Sequence, residues 1–190
     1  MHSILGVVLC GGNSTRMGRD KSTIHHQNGL TFLEHAVERL GPICDEVCLA
    51  GKSNSVADLV ALPDPFPNQG PIFGVLQALD YANDHTTGKT KHQACLITPV
   101  DMPHVTTDDL RKLILSWQIK NSLTYAISGP KCKPQPLLGI YPVHFLEALT
   151  VHAKTDSSLT RWIEKQDATQ IELDEAHCLN INRPDDLAEI

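Results

Sequence analysis

The stretch from Ile4 to Ser22, ILGVVLCGGNSTRMGRDKS, constrains the fold more than any other part of the chain. It opens with an apolar run, Ile4-Leu5-Gly6-Val7-Val8-Leu9, whose aliphatic and β-branched residues suit a strand buried on both faces. The run stops at Gly11-Gly12 and gives way to a polar loop carrying Arg16, Gly18, Arg19 and Lys21. Glycines let a backbone turn tightly and approach a ligand, and successive N–H groups form an anion-binding nest. Strand, glycine pair and clustered cations together suit a phosphate-bearing ligand. The spacing is not that of a Walker A loop, since five residues separate Gly12 from Gly18 and Lys21 follows later. It is not the dinucleotide fingerprint G-x-G-x-x-G either.

The remaining pattern predicts where that loop sits. Strands are expected at 4–9, 46–50, 59–62 and 94–98, and helices at 31–40, 71–82 and 107–118. Thr31 and Glu34 form a capping box at the head of the first helix, and Pro71 is placed as the first residue of the second. Alternation of this kind implies βαβ units and a mainly parallel sheet covered by helices on both faces. Beyond residue 122 the spacing tightens. Leu123–Ser128 and Pro136–Tyr141 read as an antiparallel insertion, followed by helices near 143–152 and 157–165, a strand at 169–173 and a last helix opened by Pro184. Ser22 to His26 reads as a short extended piece, and helix potential is weak over Ser53 to Leu59.

With 190 residues, 41% of them hydrophobic, the chain is read as one domain over 1–190. A net charge of −6 argues against a nucleic-acid or membrane-surface binder, so the cations of the opening loop serve a small anion. No apolar stretch is long enough to span a membrane and no signal peptide is visible. The six cysteines form no Cys-x-x-Cys pair, which predicts a reducing cytoplasm, no disulfides and no zinc. The ten scattered histidines are expected at the surface.

In open α/β sheets, ligands bind beyond the carboxyl ends of the strands. The opening loop, Asp64 and Asp101 all fall at such ends. Asp101 lies between two prolines in Thr98-Pro99-Val100-Asp101-Met102-Pro103, a stiff setting that suits Mg2+ held by one carboxylate and substrate phosphate oxygens.

Leu9-Cys10-Gly11-Gly12, with Arg16-Met17-Gly18 and Asp20-Lys21, resembles the L-A-G-G-x3-R-M-G-x-D-K signature of nucleotidyltransferases. In this form it is most similar to the molybdenum cofactor guanylyltransferases (the MobA family). The resemblance implies a Rossmann-like three-layer α/β/α nucleotidyltransferase fold with a mainly parallel, mixed sheet. It implies transfer of GMP from GTP to the phosphate of molybdopterin, with release of pyrophosphate and Mg2+ as cofactor. Lys21, Arg16 and Asp101 would be catalytic, Asp101 also holding the metal. Leu9, Cys10, Gly11, Gly12, Lys21, Asp64, Gly70 and Asp101 would bind the nucleotide, the Asp64 and Gly70-Pro71-Ile72-Phe73-Gly74 elements meeting base and sugar. Transient contact with molybdoenzyme maturation proteins is a further partner the resemblance allows.

Gln135-Pro136-Leu137-Leu138-Gly139-Ile140-Tyr141 and Asn180-Ile181-Asn182-Arg183-Pro184-Asp185-Asp186-Leu187 resemble C-terminal motifs of the same family. They nominate Asn180 and Asn182, with Lys131 and Lys133, as contacts for the acceptor. Gly11 matches the guanine-using members, where cytosine-using members carry alanine, and the Pro-Val-Asp-Met-Pro loop falls on the same side. One departure stands out. Where the family often carries Asn after its second strand, this chain has Ala50, leaving Lys52 or Asn54 to replace that contact. The alternatives are a molybdopterin cytidylyltransferase, a sugar-phosphate nucleotidyltransferase and a noncatalytic GTP-binding module.

Overall fold

β1 (Ile4–Leu9) is buried along its whole length because both of its faces are covered. Ile4 and Val8 join one apolar cluster, and Leu5, Val7 and Leu9 join a second on the opposite side of the sheet. The structure, a computed structural model, describes residues 3–11, 20–26, 28–51, 59–62, 70–84 and 92–189. Arg16, Gly12, Asp64, Lys52 and Asn54, and the segment of weak helix potential before Leu59, therefore lie outside the described residues.

The sheet has seven strands in the order β3-β2-β1-β4-β6-β5-β7. β1 pairs in parallel with β2 (Glu46–Ala50) and with β4 (Ala94–Pro99), and β2 carries the short β3 (Val60–Leu62). β6 (Lys133–Pro142) runs antiparallel to both β4 and β5 (Thr124–Ser128), while β5 pairs in parallel with β7 (Thr169–Leu173). The expected antiparallel insertion is thus a strand threaded into the sheet between β4 and β5.

α1 (Phe32–Leu40) and α3 (Thr107–Lys120) pack one face, through Phe32, Ala36, Leu40, Leu110, Leu113 and Trp117. α2 (Ile72–Asn83), α4 (Leu146–Ala153) and α5 (Leu159–Ile163) pack the other, through Ile72, Val75, Leu79, Leu149 and Trp162. Both α1 and α3 begin with reciprocal capping boxes, Thr31 with Glu34 and Thr106 with Asp109. Each N-cap contributes on the order of 1 kcal/mol and fixes where the preceding loop ends. In α3 that loop carries Asp101.

Several details differ from expectation. β6 starts at Lys133, not Pro136, although Pro134 and Pro136 lie within it. The register explains this: β4 meets β6 only over Gly139–Pro142, so Pro134 lies where β6 has β5 alone as neighbour, and Pro136 falls in the irregularity where the β5–β6 register shifts. Residues Lys21–Thr23 form a 3-10 turn in place of an extended piece, because Asp20 caps it by accepting from the Ser22 N–H. Pro71 stands one residue before α2, as its N-cap. A 3-10 turn at Val143–Phe145 precedes α4, and Pro184–Glu189 is also 3-10. His92 is buried, not superficial, between the Ser3 hydroxyl at 3.0 Å and the Glu46 carboxylate at 3.2 Å.

Candidate active site

Strand order reverses direction of growth at β1: the chain moves from β1 outward to β2 and β3, then returns to β4 on the other side. The crevice beyond the carboxyl ends of β1 and β4 is the topological switch point where such sheets bind ligands. The Cys10 N–H donates to the Ala50 carbonyl and the Val100 N–H to the Leu9 carbonyl, so the loops after β1 and β4 leave the sheet side by side. Leu9 and Cys10 are buried beneath this edge, while Gly11 is exposed at it.

Two glycines shape the floor. Gly51 has φ +94°, and a Cβ there would lie 2.6 Å from the Gly11 nitrogen. No side chain fits between the two turns, so the backbone after β2 lies directly against the backbone after β1. Gly70 leads into α2 with φ +102°, again a conformation that favours glycine. Ala50, which stands where the family often carries Asn, is fully buried on the α2 side of the sheet. Its side chain points into the core and away from the crevice.

Lys21 and Asp101 meet. The Lys21 Nζ lies 2.7 Å from Asp101 Oδ2 and donates a second hydrogen bond to Asn182 Oδ1 at 2.8 Å. Three segments far apart in sequence thereby converge on one ammonium group. The Asn182 segment is held in place twice over. The Ile181 N–H donates to the Asp101 carbonyl at 2.9 Å. The N–H groups of Asn182 and Arg183 both donate to the Asp186 carboxylate, which keeps that carboxyl below the usual range. Sequence reasoning does not nominate Asp186, although an acid in the turn after Asn-x-Asn-x-Pro is a capping signal.

Beside this group opens a cavity of about 670 Å³, walled by the β5–β6 turn and by residues 175–182. Lys131, Lys133, Asn180 and Asn182, nominated together for the acceptor, all line it. Asn182 belongs to both places, so the cavity is contiguous with the Lys21–Asp101 pair. The lining also includes Gln135, whose amide donates to the Ser128 hydroxyl at 2.9 Å, and Glu175, whose carboxylate rests over Gly129. Neither Ser128 nor Glu175 carries a sequence signal.

Cys10 is no ready nucleophile at this edge. Burial, with a smaller contribution from Asp20, pushes the Cys10 thiol up to about 12, and all six cysteines are free. For a divalent metal, no cluster of three His, Cys, Asp or Glu side chains exists among the described residues. Asp101 fits the other mode, in which Mg2+ takes one carboxylate and completes its shell with phosphate oxygens and water. Sequence reasoning also misses Arg39, on α1: its buried guanidinium donates to the carbonyls of Met102, Pro103 and Val105 in the Asp101 loop.

Three layers around a mostly parallel mixed sheet, with loops converging at the switch point, define a Rossmann-like nucleotidyltransferase fold. A structure of molybdopterin-guanine dinucleotide biosynthesis protein A from Archaeoglobus fulgidus superposes with a TM-score of 0.75 at 20% identity, covering 97% of this chain and 95% of that one. A 4-diphosphocytidyl-2C-methyl-D-erythritol synthase from Anaerococcus prevotii shares the fold with a TM-score of 0.69 at 10% identity, over 99% of this chain and 96% of that one. In sequence, the chain is 34% identical to a probable molybdenum cofactor guanylyltransferase of Rhodopirellula baltica, over 97% of this chain and 90% of the relative. It is 30% identical to the molybdenum cofactor guanylyltransferase of Rhizobium johnstonii, over 98% and 90%. Residues 6–170 match the model of the MobA-like NTP transferase domain. The chain belongs to the MobA-like NTP transferase family.

Proposed function

We propose that this chain, acting as one domain over 1–190, transfers GMP from GTP to the phosphate of a molybdopterin-type acceptor. An acceptor phosphate oxygen bonds to the α-phosphorus of GTP as the α–β bridging P–O bond breaks. Pyrophosphate leaves with that bond's electron pair, and the product is a guanine dinucleotide form of the acceptor. The observation that carries this reading is the Lys21 ammonium shared between Asp101 and Asn182, with the acceptor-sized cavity opening beside it.

Transfer of this type requires positioning and charge neutralisation more than covalent work by the protein. Gly11 and the loop after it receive the triphosphate along the backbone. Lys21 neutralises phosphate charge as a mobile point charge, and Arg16 adds a planar fork to phosphate oxygens. Asp101 would hold Mg2+, which supplies Lewis-acid polarisation of the phosphoryl oxygens when bound. Lys131 and Lys133 meet the acceptor's phosphate, while Asn180 and Asn182 present amides to its polar ring system. Asp64 and Gly70 bound the base and sugar. Six free thiols suit a cytoplasmic protein. No helix among the described residues is long and apolar enough to cross a membrane.

A nucleotide panel with Mg2+, followed by calorimetry, tests the base assignment. GTP is expected to bind more tightly than CTP, and tighter CTP binding would replace this reading with cytidylyl transfer. Gly11→Ala sharpens the test. Among the described residues a Cβ at Gly11 would meet the Gly51 Cα alone, at an ordinary 3.6 Å, so the free protein should fold normally and lose GTP affinity.

A further inference from the structure

Arg39 is an unusual residue to find inside a protein. It is 6% exposed, in the last turn of α1, where it follows Phe32 and Ala36 on the face turned to the core. Burying a guanidinium is costly unless hydrogen bonds and an opposite charge compensate. Among the described residues no carboxylate meets it. Its Nη1 instead donates to the Met102 carbonyl at 3.1 Å, the Pro103 carbonyl at 2.9 Å and the Val105 carbonyl. Its Nε and Nη2 are buried without a hydrogen-bond partner among those residues. The guanidinium is thus aimed at one short segment, the loop that begins at Asp101 and ends at the Thr106 cap of α3. The Arg39 backbone takes part as well, since its carbonyl accepts from the Thr107 hydroxyl at 3.4 Å.

Pro103 leaves this loop one N–H short, and its own bond from the Val105 N–H to the Met102 carbonyl is long at 3.4 Å, so its carbonyls call for further donors. Arg39 collects three of them at one nitrogen. The segment is thereby drawn onto α1 while Met102 and Val105 pack into the core beside it. Asp101, immediately before Met102, is left with its side chain toward Lys21 and its carbonyl bonded to the Ile181 N–H. The arginine contacts neither the Lys21–Asp101 pair nor the cavity. It acts on the carboxylate through one peptide link.

We infer that Arg39 is a positioning residue for the carboxylate of Asp101, holding the loop so that this carboxylate can share a divalent cation with the nucleotide's phosphates. The inference rests on the metal role proposed for Asp101. Lysine at position 39 would keep the charge but lack the planar guanidinium that spans several carbonyls. The loop would then relax, and the carboxylate would lose its fixed direction while the nucleotide-binding backbone after β1 stays intact.

The test measures GTP binding by calorimetry in EDTA and in saturating Mg2+, for the unaltered chain, Arg39→Lys, Arg39→Gln and Asp101→Asn, each checked for folding by thermal melting. In Arg39→Lys the affinity in EDTA should stay within about twofold, while the gain on adding Mg2+ falls on the order of tenfold, the scale of one hydrogen bond to a charged group. Arg39→Gln, which removes the buried charge, should show the same selective loss if the lysine variant melts too low to titrate. Parallel losses with and without Mg2+ would make Arg39 a general support of the fold and overturn the inference. An undiminished Mg2+ gain would overturn it too. If Asp101→Asn keeps the full Mg2+ gain, the metal role of Asp101 itself falls and the inference goes with it.

Discussion

Lys21 and Asn182 stand 161 positions apart in the chain, yet the lysine ammonium donates to the asparagine amide oxygen across 2.8 Å. The same ammonium is ion-paired with Asp101 at 2.7 Å. One cation therefore joins the loop after β1, the loop after β4 and the C-terminal segment, with only 15% of its side chain exposed.

If the ammonium of Lys21 serves the phosphates as proposed, Lys21→Ala should weaken binding of GTP far more than binding of guanosine. A charge-assisted hydrogen bond contributes roughly 1.5–3 kcal/mol, which corresponds to about a tenfold to hundredfold decrease in GTP affinity. Calorimetry with both ligands checks this. Equal decreases would place Lys21 away from the triphosphate.

Lys131→Ala with Lys133→Ala should raise the acceptor's KM by about tenfold and leave that of GTP within about twofold. Both lysines are exposed at the cavity mouth, so the effect should shrink as salt is added. Steady-state kinetics at two ionic strengths separates the substrates. A rise confined to GTP would assign the cavity to the nucleotide.

Stability should respond to pH through His35. Burial, then the Arg39 guanidinium and the imidazoles of His26 and His104, pushes the His35 imidazole down from 6.5 to about 4. Between those values the unfolded chain binds the proton and the folded chain does not. The stability this residue contributes is therefore complete above about pH 6.5 and declines as pH falls toward 4. The lowered Asp186 carboxyl adds its own decline only further into acid. In thermal melts, His35→Gln should flatten the fall of Tm over that interval; an unchanged slope would remove His35 as its source.

Much of the fold is legible in the sequence because its signals are local. The apolar run of β1 and the Thr31–Glu34 box can each be read from adjacent residues. The meeting of Lys21, Asp101 and Asn182 is foreshadowed only by their common family motifs, since no local pattern encodes a contact across the sheet edge. β6 reads short because prolines normally mark strand ends, and only its register shows a stretch with a single neighbour. Arg39 resembles a solvated cation at a helix end. The available signal is its spacing, which continues the Phe32–Ala36 face into the core. His92 escapes for a related reason: its burial depends on the Ser3 and Glu46 partners that folding brings to it.

The most direct test of the central claim follows label and pyrophosphate together. GTP labelled at the α-phosphate is incubated with Mg2+ and a molybdopterin-type acceptor, using the unaltered chain and Asp101→Asn. The account predicts that label enters the acceptor in step with pyrophosphate release, and that the asparagine variant, which keeps the side chain's shape, is slower by at least about a hundredfold. Binding of GTP without any transfer, or transfer at an undiminished rate in Asp101→Asn, would contradict it.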